Sequence, residues 1–105
     1  MVATLDEKKG EDILLLDVQK IASFTDYFVF CSGSSDRMLD ALSKFVREEV
    51  KREFKLLSQP EGDSTYGWVL LDLGDVIVNL LSPEKRDYYR LEELWSEGKV
   101  LVKLQ

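Results

Sequence analysis

Trp68-Val69-Leu70-Leu71-Asp72-Leu73-Gly74-Asp75-Val76-Ile77-Val78-Asn79 places two apolar runs, rich in Val, Ile and Leu, on either side of a Gly-Asp pair. Runs of this composition form strands. A two-residue connection between them closes a tight hairpin, with glycine supplying the positive φ that a primed turn needs. One antiparallel pair is thereby predicted, and the rest of the chain is arranged around it.

Upstream, Asp12-Ile13-Leu14-Leu15-Leu16-Asp17-Val18 is an almost continuous apolar run, as in a strand buried on both faces. Gln19 to Asp26 reads as a polar connection and Tyr27 to Cys31 as a second strand. Ser32-Gly33-Ser34-Ser35 then breaks that strand and opens a helix from about Asp36 to Phe54, with Ser34 or Ser35 as its cap. Met38, Leu39, Leu42, Phe45, Val46, Val50 and Phe54 recur at three- and four-residue steps and form its apolar stripe. Arg47 and Lys51 fall on the other faces and read as solvated. Met1 to Lys9 predicts a short first helix stopped by Gly10. Lys55 to Ser58 is read as a short strand, and Gln59 to Ser64 as a loop. Beyond the hairpin, Ser82-Pro83-Glu84 is a helix start with Ser as cap and Pro in the first turn. Tyr88, Leu91, Leu94 and Trp95 give that helix an apolar face, Gly98 ends it, and Val100 to Val102 could add a strand. The expectation is one α/β domain over residues 1–105, a mixed sheet of about five strands flanked by helices. The long helix suggests a crossover to a parallel neighbour.

Composition limits the chemistry. At 105 residues the chain can bury roughly 65% of its unfolded surface, enough for a core. No apolar run approaches the ~20 residues of a membrane span, and no signal-like segment opens the chain. Histidine is absent and Cys31 is the one cysteine. A Ser-His-Asp triad, a Cys-His dyad and a His-ligated or multi-thiolate metal site are therefore excluded within the chain. A lone cysteine also fits a reducing, cytoplasmic setting. Twenty acidic against 14 basic residues leave a net charge of −6, which repels a phosphate backbone and favours a basic protein as partner.

Few residues invite a chemical role. Asp72 and Asp75 could hold a divalent ion, but Asp75 is better explained as a turn residue. Cys31 reads as a small buried hydrophobe, and Asp26 as a satisfier of loop amides. The partner-binding candidates are Trp68, Leu70 and Asp72. Along a strand these three share one face, and Val69, Leu71 and Leu73 share the other. The second set is wholly aliphatic and looks like the core side. The first mixes an aromatic with an acid, a composition found at protein interfaces. Trp68 as a core residue under the long helix is equally compatible with the pattern. Tyr89 and Trp95 read as helix-to-sheet packing.

Together with Ser23-Phe24-Thr25-Asp26-Tyr27-Phe28-Val29-Phe30-Cys31-Ser32-Gly33 and Tyr89-Arg90-Leu91-Glu92-Glu93-Leu94-Trp95, the hairpin resembles the ribosomal silencing factors, the Iojap-like family, from about Asp12 to Trp95. The matching positions are Asp26, Gly33, Ser35, Arg37, Glu61, Gly62, Trp68, Asp72, Gly74, Asp75, Arg86, Tyr89, Leu91, Glu92 and Trp95. Asn79 stands where the family usually has His. The resemblance implies a nucleotidyltransferase-like topology and a translational repressor without catalysis, cofactor or metal. It implies docking on the large ribosomal subunit through ribosomal protein fourteen, which blocks joining of the small subunit, especially when nutrients are short. Gly33-Ser34 before a helix is similar to the phosphate-holding turn of nucleotidyltransferases, but the acidic pair those enzymes carry on the next strand has no counterpart at the required spacing. A nucleotide-handling enzyme on this fold, and a homodimeric adaptor without ribosome contact, are the two alternatives.

Overall fold

The computed structural model describes residues 1–105. A first helix α1 (Val2–Glu7) is followed by β1 (Glu11–Asp17), β2 (Tyr27–Ser32) and the long helix α2 (Asp36–Phe54). Three strands come next, β3 (Glu61–Asp63), β4 (Trp68–Asp72) and β5 (Val76–Leu81), and then two short helices, α3 (Pro83–Tyr89) and α4 (Leu91–Leu94). Strand β6 (Lys99–Leu104) closes the order. All six strands form one sheet in the order β3-β4-β5-β2-β1-β6, in which only β2 and β5 run parallel.

The hairpin forms as its turn chemistry requires. Leu73 N–H donates to the Val76 carbonyl at 2.9 Å across Gly74-Asp75, and Gly74 has φ +87°. Asp75 is absent from the positive-φ residues, so this is a type II′ turn with glycine at its first central position. Asp72 Oδ1 accepts the Gly74 N–H at 2.9 Å, and the Asp75 carbonyl accepts the N–H groups of Asp26 and Tyr27. The turn is thus tied to the entry of β2. It is the backbone of Asp26 that makes this tie, in place of the side-chain role expected for it. Helix α2 has the expected limits. Ser35 Oγ accepts Met38 N–H at 3.1 Å as its N-cap, and Ser82 caps α3 in the same way through Lys85 N–H.

Three expectations are corrected. Lys55 to Ser58 is not a strand. Lys55 ends α2 in the left-handed conformation, and Leu56 N–H turns back to the Val50 carbonyl. The strand count rises to six because Glu61–Asp63, inside the expected loop, pairs with β4, and because β6 is six residues long. The last helix is two helices, divided at Arg90, which sits at φ 49°.

The sheet separates two apolar layers, as period-two alternation demands. On one face Val29, Cys31, Val69, Leu71, Val78 and Leu80 pack under Leu39, Leu42 and Val46 of α2 and Leu5 of α1. Gly10 is required in this layer, because a Cβ there would lie 2.5 Å from Cys31 Sγ. On the opposite face Leu16, Phe28, Phe30, Ile77 and Leu81 form a second layer, with Trp68, Leu70, Leu91 and Trp95 packed against it. The two short helices cover that second face only in part.

Candidate functional site

Alternation along β4 assigns its residues as the sequence pattern suggested. Val69 and Leu71 are buried under α2, Trp68 and Leu70 are half-buried on the opposite face, and Asp72 is exposed. Trp68, Leu70 and Asp72 therefore share the face that the short helices leave open. Trp68 is not under the long helix.

Its position is fixed by two contacts. The indole Nε1–H donates to Asn79 Oδ1 on β5 at 3.0 Å, and Asn79 is itself buried. A buried amide without a partner is costly, so Trp68 and Asn79 satisfy each other. The indole also packs against the Tyr89 ring of α3, centroids 5.1 Å apart. Tyr89 Oη shares a 2.6 Å hydrogen bond with Tyr66 Oη, and that bond raises the Tyr89 pKa. Lys85 Nζ lies 4.1 Å from the centroid of the Tyr66 ring, within cation–π range.

Between β3 and β4 this arrangement leaves a shallow cavity of about 300 Å³ lined by Glu61, Gly62, Tyr66, Trp68 and Leu70. Apolar walls and a carboxylate at the rim suit a protein surface with a basic or apolar projection. Gly62 takes φ +86° here, and a Cβ would meet the Trp68 carbonyl oxygen at 2.4 Å. Glycine is needed for the edge strand to approach. Tyr66 escaped the sequence reading because it lies in a loop. The visible signal was an aromatic residue followed by glycine.

Other motif residues have structural work. Arg86 Nε pairs with Glu92 Oε1 at 3.2 Å, and its Nη1 reaches Ser32 Oγ and the Asp12 carbonyl. It ties both short helices to the ends of β1 and β2. Trp95 packs on Phe28 and Phe24, with centroids at 4.9 and 5.8 Å. Gly33 N–H donates to the Leu81 carbonyl, and a Cβ at Gly33 would lie 2.8 Å from Leu39 Cδ2. The Gly33-Ser34 turn is thus a packing and capping device. Cys31 is fully buried, and burial pushes its thiol up to about 11. No group of three or more Cys, Asp or Glu residues is gathered as a metal site.

Comparison with known proteins identifies a family and a fold. A family model described as "Ribosomal silencing factor during starvation" matches residues 1–105. The ribosomal silencing factor of Bacillus subtilis is 38% identical over 91% of this chain and 81% of its own length. The chloroplastic Iojap protein of Zea mays is 33% identical over 88% of this chain and 40% of its own. A crystal structure of a Chromobacterium violaceum protein, 36% identical, superposes with a TM-score of 0.85 over 90% of this chain and 79% of that one.

Proposed function

We propose, from the premise that this chain belongs to the ribosomal silencing factor family, that it represses translation by docking on the large ribosomal subunit. The docking partner is that subunit's protein fourteen, and the bound factor denies the small subunit its place, chiefly under nutrient limitation. The action is steric and uses no catalysis. The reading goes with a cytoplasmic setting. No helix of the chain is long and apolar enough to cross a membrane.

One observation carries the reading: a large aromatic, Trp68, stands half-buried and held by a hydrogen bond at the part of this sheet face that the short helices leave uncovered. A pre-ordered Trp loses little entropy when a partner covers it, and such residues dominate binding energies. Glu61 and Asp72 are exposed on the same strand pair. In a chain of charge −6 they favour a basic protein partner and steer its approach.

Co-sedimentation with purified large subunits tests the docking, and isolated protein fourteen tests its address. The reading expects the protein to pellet with large subunits and to bind isolated protein fourteen more tightly than naked ribosomal RNA. Binding to naked RNA with none to protein fourteen would overturn it.

A further inference from the structure

A second surface lies on the other side of the β3 edge. Five of the chain's 14 basic residues fall within Lys44 to Lys55, against three acids, so this segment carries +2 and the remainder −8. Lys44, Arg47 and Lys51 are spaced by three and four residues and share one side of α2. The chain that follows the helix folds back beside them, held by Leu56 N–H to the Val50 carbonyl and by Arg47 Nε to the Ser58 carbonyl at 3.2 Å. The result is a groove of about 270 Å³ in which Lys44, Arg47 and Lys51 face Leu57 and Gln59, with Glu48 the one acid on its wall. Leu57 and nearby Phe54 are 75% and 71% exposed.

Basic residues in a last helical turn ordinarily compensate the helix dipole, and Lys51 and Arg52 are placed for that. Lys44 and Arg47 lie too far from the helix end for the same explanation. The groove is also concave, which suits a phosphate–sugar chain better than a flat lipid surface. Gln59 lines this groove and Glu61, two residues on, lines the Trp68 cavity. A body that meets the β3 edge can therefore touch both surfaces at once.

We propose that the Lys44–Arg47–Lys51 groove binds the phosphate backbone of a single-stranded RNA segment, beside the protein contact made by the Trp68 face. The choice of RNA among polyanions rests on the ribosomal reading; the groove's affinity for phosphates does not. The contact is secondary, because the chain as a whole repels polyanions.

Oligouridine binding, measured by fluorescence anisotropy against salt concentration, tests the groove apart from protein fourteen. Three neutralised phosphates predict a log–log salt slope of about −2, at about 0.7 per phosphate. The double substitution Lys44→Gln and Lys51→Gln leaves Arg47 and its Ser58 bond in place, and should flatten the slope to about −0.7. Trp68→Ala should leave the slope unchanged. Absence of oligouridine binding at low salt, or an unchanged slope in the double variant, overturns the inference. So does a preference for phosphatidylserine vesicles over RNA that the double variant abolishes. Should the intact protein fail to pellet with large subunits and still bind oligouridine through these lysines, the ribosomal docking falls while the groove stands.

Discussion

The indole N–H of Trp68 and the carboxamide oxygen of Asn79 meet at 3.0 Å across the β4–β5 pair. They are diagonal neighbours on the open face, since Trp68 is opposite Leu81 and Leu70 is opposite Asn79. The bond couples a half-buried surface aromatic with a residue sealed inside the sheet. Trp68 is thus the cover of a buried amide, and the proposed docking gives it a second task as anchor for a partner.

That coupling makes Asn79→His a pH probe. The family resemblance marks His as usual at this position, and a neutral imidazole can accept the indole N–H while an imidazolium cannot. The native pKa of such a His should be depressed below its unfolded value of about 6.5. Its stabilising contribution is then complete above about pH 6.5 and lost as pH falls through the native pKa. Thermal melts of the variant between about pH 7.5 and 5 should decline relative to the parent chain. Parallel curves would show that the Trp68 bond does not depend on this acceptor.

Asp72→Asn separates charge from turn geometry. The amide oxygen can still accept the Gly74 N–H, so the melting temperature should be unchanged, while the negative charge on the Trp68 face is gone. Binding to large subunits should weaken several-fold, mainly through slower association, and with a weaker dependence on salt. Stopped-flow association rates at two salt concentrations measure this. An identical salt dependence would remove Asp72 from the interface.

Arg86→Ala should act on the fold. It leaves Glu92 without its cation and unties both short helices from Ser32 and Asp12. Breaking a fully buried pair from one side costs about 3–5 kcal/mol. Here the side chains retain 12% and 27% exposure, so a loss of about 2–3 kcal/mol is expected. Denaturant unfolding measures it. A variant of normal stability that no longer binds large subunits would instead make Arg86 a contact residue.

Cys31 should resist alkylation in the native state and react once the chain is unfolded. Burial raises its pKa from 9.0 to about 11, so the native thiol stays protonated where an unfolded one ionises. The sign follows: its contribution to stability is complete below about pH 9 and lost as pH rises to about 11. Iodoacetamide labelling followed by mass spectrometry, with and without denaturant, checks the first point. Rapid native labelling near neutral pH would contradict the burial.

Much of this architecture was legible because it is local. The II′ turn follows from Gly74, the limits of α2 from Ser35 and a 3.6-residue stripe, and the start of α3 from Ser82 and Pro83. Alternation alone grouped Trp68, Leu70 and Asp72 on one face of β4, but it left open whether that face lay under the long helix. What escaped depends on distant partners. Glu61–Asp63 is a strand only because β4 lies beside it, and its own residues have no strand propensity. Lys55 to Ser58 looks apolar enough for a strand, yet the left-handed turn at Lys55 sends it back along α2. The site was half visible: Trp68, Leu70 and Asp72 could be grouped, while the acceptor Asn79 and the bracing Tyr66–Tyr89 pair could not. No local pattern announces a hydrogen bond between residues 23 positions apart.

Docking of the Trp68 face on the large subunit should keep the small subunit away. Light scattering of subunit joining, with the intact protein and with Trp68→Ala, tests it most directly. Truncation removes a half-buried ring and orphans Asn79, so a stability loss of about 2 kcal/mol is expected, and with it a melting temperature lower by about 8–16 °C. The assay must therefore be run well below that melt. An anchoring Trp lost to Ala weakens binding by about 2–4 kcal/mol, roughly 30- to 1000-fold. The intact protein should suppress joining, and the folded variant should leave joining unimpeded at the same concentration. A folded Trp68→Ala protein that blocks joining as well as its parent would contradict docking through this face.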